Sequence, residues 1–531
     1  MRSEEQFWCL MIMKKIEDYF YMASQNKQLA INMASQVVVF VVQMGINFLL
    51  TPFIVDSLGV EAYGFVGLSN NIIGYLQLAT VALNSMAGRF ITVEYHKGNM
   101  EKANKYFSSV FYSNVVISVI LALISVGLLY HLEHVIEIPC HLVTDVKCLF
   151  ALLCINSLLT LVFNVYIVSP FIKNRLEITS IRNLISNLIK AAVILILFGF
   201  FTSHLWYIGC STLICGIYLV IANVKIKDKL TPELCVNLRD FDFDKIKTLL
   251  SSGVWNLIGK LGDLLQRGLD LLFANWFINA TAMGVLSITT HIPFIILSVL
   301  GLFNSSFAPS LTKDFAKGDK ESMINEVYKS IRIMSICILI PISVLYIYGD
   351  VFYSLWMPTQ DAFLLQKLTI CGTFALLVTS PLEGFWNVFT ATNKIKGSSI
   401  FMIINSIVVF LTVLLGLIFT DDMTTKMFII AAVRSMYGVL RGLFFLPIYG
   451  AYCLGVGYSY FYKSIMKSLF GLGLSLGLCW SLRLLYIPSD WLSFLVMSAI
   501  VALTALFVGS SLILTKKDKQ FILEKIIKRK K

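Results

Sequence analysis

A chain of 531 residues that is 57% hydrophobic and only 14% charged, with a mean hydropathy of +0.79, carries more apolar surface than a soluble core can hide. Long uncharged runs recur along its whole length, so it reads as an all-α polytopic membrane protein rather than a soluble enzyme or a nucleic-acid binder. The net charge of +12 then belongs to loops on one side of a membrane, and eleven scattered cysteines without a CxxC pair point to neither a disulfide framework nor a metal site.

The opening MRSEEQFWCLMIMKK has one apolar patch, too short to span and followed by no small-residue cleavage site. MKKIEDYF, from Met13, opens as a basic cytoplasmic end would and marks a second candidate start. Apolar windows of bilayer length follow near 29–55, 63–87, 107–130, 148–170, 181–201, 205–224, 248–278, 282–311, 333–349, 364–390, 399–420, 427–450, 468–486 and 491–514. The expected organisation is a cytoplasmic segment over 1–28, a first six-span lobe over 29–224 and a linker over 225–247. A second six-span lobe covers 248–450, two further spans 451–514, and a basic tail 515–531.

The connections alternate in charge. RFITVEYHKGNMEKANKYF, KNRLEITSIR, the linker, TKDFAKGDKESMINEVYKSIR, TNKIKG and the tail, with the N-terminal segment, hold the great majority of the 43 Lys and Arg. That bias puts both termini in the cytoplasm. The opposite loops are short. The one around 131–147 contains His131, His134, Cys140 and His141, and reads as a solvated acidic loop rather than a metal site. No HExxH or P-loop pattern is present and no soluble domain interrupts the chain, so nothing in it reads as an ATPase.

The chain also repeats itself at an offset of 220. NSMAGRFITVEYHKGNME (84–101) falls on NSSFAPSLTKDFAKGDKE (304–321), with identities at Asn84/Asn304, Ser85/Ser305, Thr92/Thr312, Lys97/Lys317, Gly98/Gly318 and Glu101/Glu321. A six-span unit returns the chain to its starting side, so two such units run parallel, related by a pseudo-two-fold axis along the membrane normal. Transporters built this way bind substrate between their lobes.

Polar residues fall at equivalent places in both halves. Asn32, Gln36, Gln43 and Asn47 lie along one face of the first span, and their partners in the seventh are Ser252, Asn256, Asp263 and Arg267. In the second spans, Ser69-Asn70-Asn71 falls on Thr289-Thr290-His291. Lipid is no place for such faces, and a water-filled cavity is.

The seventh span adds Lys260, Asp263, Arg267 and Asp270, each costing about 2.5–3.5 kcal/mol at a lipid-facing helix centre. Their spacing lets each reach an opposite charge at i+3 or i+4. The ladder serves either lobe packing or a cavity wall that meets an anionic substrate, with Arg267 the residue best suited to phosphate. Arg434 and Arg441 share a face of span 12, and Lys190 reads as the first lobe's only deep cation, while Arg89 sits at a helix end where it reaches headgroups. Glu383, after Pro381, is placed either to hold a coupling ion or to satisfy freed backbone, and Asp263 and Asp270 are the other candidates for a coupling ion.

With its opening NMASQVVVFVVQMGINFLLTPFIVDSLGVEAYG, the PxIxxxLGxxxYG stretch from Pro52 to Gly64 and the KGNME/KGDKE loops, the chain resembles the polysaccharide exporter branch of the multidrug/oligosaccharidyl-lipid/polysaccharide (MOP) superfamily. The resemblance is greatest to the Wzx-type flippases of O-antigen and capsule pathways. It implies a MATE-like fold in a bacterial inner membrane and the export of an undecaprenyl-diphosphate-linked oligosaccharide by alternating access, without a cofactor. Implied partners are that lipid-linked glycan, membrane lipids, and a polysaccharide polymerase with its chain-length regulator. The lipid II flippase branch sets several arginines in its first lobe; the amide-rich seam here favours a sugar repeat unit instead. Two rivals are a cation-coupled drug antiporter of the same superfamily and a membrane polymerase or ligase, the second opposed by the short outward loops.

Overall fold

The computed structural model describes Gln28, Ile31, Asn32 and residues 34–515, apart from the side chains of Asp263, Gln266 and Arg267. The expected N-terminal segment through Lys27 and the basic tail from Lys516 lie outside the described residues.

Apolar runs in a bilayer must satisfy their own backbone, and among the described residues this chain does so with helices and no strand. In chain order they are α1 (Ala34–Leu58), α2 (Val60–His96), α3 (Met100–Tyr130), α4 (Val143–Val162), α5 (Leu176–Phe200) and α6 (Trp206–Leu230). Next come α7 (Phe243–Arg267), α8 (Asp270–Phe277), α9 (Ala280–Ala316), α10 (Lys320–Trp356), α11 (Ala362–Leu382) and α12 (Gly384–Ala391). The last four are α13 (Ile395–Ile418), α14 (Met423–Leu454), α15 (Tyr462–Leu485) and α16 (Trp491–Ile513). All but α7, α8 and α12 make up, among the described residues, 13 helices long and apolar enough to cross a membrane.

Two expected spans are corrected. The seventh, read as one run over 248–278, is broken at Gly268–Leu269 between α7 and α8. Glycine is a poor helix former, and past it the Asp270 carboxylate meets Arg434 of α14. The tenth, read over 364–390, ends α11 in a 3₁₀ turn at Ser380–Leu382, because Pro381 cannot continue the helical ladder, and resumes as α12.

The repeat is visible in the backbone. After α2, Lys97 N–H bonds Val93 O, Gly98 N–H bonds Tyr95 O, and Asn99 N–H bonds Glu94 O; 220 residues on, Lys317, Gly318 and Asp319 bond Lys313, Phe315 and Asp314 in the same order. Gly98 (φ +76°) and Gly318 (φ +71°) take the left-handed conformation that ends each helix, and Asn99 and Asp319 cap the next. The shared KG(N/D) motif is therefore a helix-to-helix corner. A second pair of corners turns on Asn174 (φ +53°) and Asn393 (φ +55°), with the same bonding order at an offset one residue shorter.

The chain forms two compact units, one of residues up to Leu58 and Ile72–Leu257, the other of Gly59–Asn71 and Ile258 onward. In the second unit α2 meets α9 where both are glycine. A Cβ on Gly64 would stand 2.8 Å from Gly284 N, and one on Gly284 would stand 2.0 Å from Val60 O. Gly64 thus packs against its own counterpart in the repeat. In the first unit a Cβ on Gly253 of α7 would stand 1.8 Å from Ala82 O of α2. The two C-terminal helices join the core of the second unit: Cys479, Val501 and Ala505 are buried with Ile338, Leu339 and Ile342 of α10.

Candidate functional site

The seventh span's interruption frees backbone groups inside an apolar chain, and the fold supplies partners for them. Gly268 N–H still reaches Leu264 O at 2.7 Å, while Asn71 Nδ2 donates to Gly268 O at 3.1 Å. Beyond the break, Asp270 opens α8 and Arg434 Nη1 of α14 donates to its Oδ2 at 2.6 Å. Both side chains are mostly buried. Asp270 therefore stands on a different helix from Lys260 and Asp263, and its carboxylate meets a cation of another span.

Arg434 shares a small cavity of about 60 Å³ with Arg441 and Glu383, walled also by Thr379 and Ser435. Glu383 follows the 3₁₀ turn, and its carbonyl accepts from Asn304 Nδ2 at 3.2 Å. Arg441 begins a π turn, Arg441–Phe445, of a kind frequent at functional sites, and contacts Met402 Sδ at 3.6 Å. It also lines a groove of about 790 Å³ on α13 and α14. There Phe401 stacks on Phe445 at 3.7 Å, Phe445 on Tyr449 at 5.2 Å, and Lys394 Nζ sits 4.3 Å from the Tyr452 ring centre. Asn405 is buried at the groove, and its Nδ2 has no hydrogen-bond partner among the described residues. His291, at a kink in α9, bonds the Tyr63 hydroxyl through Nε2 at 2.7 Å.

The first unit separates the seam. Gln36, Gln43 and Asn47 are exposed on α1, whereas Asn32 is buried and donates to Asn174 O at 3.0 Å, so it holds the corner after α4. Asn256 is exposed on α7 and donates to Ser85 Oγ at 3.2 Å. In the second unit Asn70 is exposed and bonds Val66 O in its own helix, and Lys260 is exposed as well. Asp263 and Arg267 have side chains outside the described residues.

A buried cation inside the first unit's pocket-lining helices escaped the sequence reading. Arg182, assigned above to a basic loop, is only 7% exposed inside α5, so Lys190 is not the sole deep cation of the first half. The loop around 131–147 brings the His131 and His134 rings to 5.9 Å, and among the described residues no three His, Cys, Asp or Glu converge as metal ligands.

The arrangement is a bilayer-length chain with polar enclosures, paired charges and a broken helix, which suits binding of a polar solute inside a membrane. Comparison with known proteins agrees. Residues 58–353 match the family described as polysaccharide biosynthesis protein. Over 500 residues the chain is 28% identical to the uncharacterized membrane protein EpsK of Bacillus subtilis (strain 168), covering 94% of this chain and 98% of that one. Among solved structures it is similar to an inward-facing multidrug resistance MATE family transporter of the MOP superfamily, with a TM-score of 0.60 and 15% identity over 81% of this chain and 97% of that one. It is similar also to the lipid II flippase MurJ in an inward closed conformation, with a TM-score of 0.60 and 12% identity over 90% of this chain and 98% of that one. At such identities these two likenesses show the fold.

Proposed function

Since the chain belongs to the polysaccharide biosynthesis protein family and has the helical fold of the MOP transporters, we propose that it is a flippase for a lipid-linked oligosaccharide. Its cargo is a sugar repeat unit on undecaprenyl diphosphate, carried from the cytoplasmic to the periplasmic leaflet of a bacterial inner membrane by alternating access. Both termini then lie in the cytoplasm, a placement that the bias of basic connections supports.

The observation that carries this reading is the interrupted seventh span with its Asp270–Arg434 pair. Irregular backbone at membrane depth persists only where protein or a water-filled cavity covers it, and transporters place substrate and ion sites at such breaks. A guanidinium has five N–H donors, so Arg434 can keep Asp270 and still donate to a diphosphate, which couples cargo binding to the packing of α8 on α14.

A second reading, a cation-coupled drug antiporter, draws on the likeness to the MATE transporter and on Asp270 and Glu383 as proton or sodium sites. The glycan reading is preferred because Asp270 is already neutralised by Arg434.

The test is genetic. Deleting the gene should abolish the surface polysaccharide and leave lipid-linked repeat units on the cytoplasmic leaflet, with drug resistance unchanged. Normal polysaccharide together with drug sensitivity would favour the antiporter.

A further inference from the structure

A pocket of about 420 Å³ lies within the first unit, among α2, α4, α5 and α6. Gln77 and Asn84 of α2, Ser157 and Thr160 of α4, Arg182 of α5 and Asn223 of α6 line it. The polar wall is braced: Gln77 Nε2 donates to Ser157 Oγ at 2.9 Å, and Asn84 Nδ2 donates to Asn114 Oδ1 at 3.0 Å.

Arg182 is its distinctive member. Nε and Nη2 donate to Asn183 Oδ1 at 3.2 and 2.8 Å, and Nη1 donates to Asn223 Oδ1. A guanidinium has five N–H donors, so these three bonds leave one on each terminal nitrogen. Among the described residues no Asp or Glu lines the pocket. Arg434 and Arg483, by contrast, meet the carboxylates of Asp270 and Asp350. A buried cation held only by neutral amide oxygens keeps its charge uncompensated, and an oxyanion is the ligand that compensates it. The surrounding amides and hydroxyls match sugar hydroxyls. Arg182 stands in the second turn of α5 and Asn223 two turns before the end of α6, close to the basic connections at which cargo would load.

We propose that this pocket is a subsite for the glycan head of the cargo, taking a sugar that bears one oxyanion, carboxylate or phosphate, on Arg182. The proposal rests on the flippase reading and names its substrate class.

Binding to the purified full-length chain in nanodiscs, by calorimetry and thermal shift, tests it with methyl glucuronide, methyl glucoside and inorganic diphosphate as probes. Wild type should bind an anionic probe about tenfold or more tightly than the neutral glucoside, the scale of one charge-assisted hydrogen bond. A preference for glucuronide assigns the site to a sugar carboxylate, and one for diphosphate assigns it to the linking phosphates. Arg182→Gln should lose the preference. So should Asn223→Asp, which gives Arg182 an internal counter-ion and guards against a misfolded first variant. A wild type without anion preference, or variants that retain it, would overturn the proposal. Binding needs no turnover, so a chain that discriminates yet moves no lipid-linked glycan would count against the flippase reading alone. One that moves glycan without discriminating would count against the subsite alone.

Discussion

Arg434 Nη1 and Asp270 Oδ2 stand 2.6 Å apart, joining a guanidinium of α14 to the first residue of α8, just past the break in the seventh span. Removing either partner strands the other in a low-dielectric site, at a cost of about 3–5 kcal/mol. Arg434→Ala and Asp270→Ala should each lower the unfolding midpoint of the purified protein markedly. The double variant Asp270→Ala with Arg434→Ala should cost less than the two single changes summed. Additive effects would mean that the two charges do not depend on each other.

Asn71 and Asn70 are neighbours with different work. The first spends its amide on Gly268 O across the break, the second on Val66 O of its own helix. Asn71→Leu should destabilise by about 1–3 kcal/mol through the orphaned carbonyl, while Asn70→Ala stays within about 0.5 kcal/mol. Equal effects in denaturation would show that the break does not need its amide.

Much of this fold was legible in the sequence, because bilayer length and loop charge are local properties. The repeat was legible too, and its KG(N/D) core proved to be a corner built on Gly98 and Gly318. The break at Gly268 was not, since the polar spacing of α7 continues in register to Asp270 and only Arg434, far along the chain, shows where that carboxylate turns. Arg182 was missed for a related reason. At the edge of an apolar window it reads as part of a basic connection, and the pocket it enters is built by α2, α4 and α6, which no local pattern reveals. Asn32 failed the other way, fitting the seam's spacing while its amide is spent on Asn174.

Gly64 and Gly284 allow two helices to touch backbone to backbone. Val at either position must push the partner helix away, with an expected loss of about 1–3 kcal/mol. Gly301→Ala is the control, because a Cβ there has nothing within 4 Å. Thermal unfolding should separate the two clearly; a tolerated Gly64→Val would mean the contact is looser than described.

Asp490 caps α16, accepting from the N–H groups of Leu492 at 2.9 Å and Ser493 at 3.0 Å. The Ser493 N–H, then its hydroxyl, hold this carboxyl below the usual carboxylate range. A depressed folded pKa means that the charge-dependent stabilisation is complete above the unfolded value of about 3.9 and fades as pH falls through the folded one. Compared with Asp490→Asn, which keeps an accepting oxygen but no charge, wild type should be more stable at neutral pH and equal at strongly acidic pH. A gap that does not change with pH would contradict this.

The most direct measurement is translocation by the purified chain in sealed liposomes, loaded in one leaflet with a fluorescent oligosaccharide on a short polyprenyl diphosphate. Wild type should expose the label to the other side far faster than protein-free vesicles, and Asp270→Ala should slow it toward that background. Movement no faster than in protein-free vesicles, alongside uptake of a cationic dye driven by a proton or sodium gradient, would contradict the account.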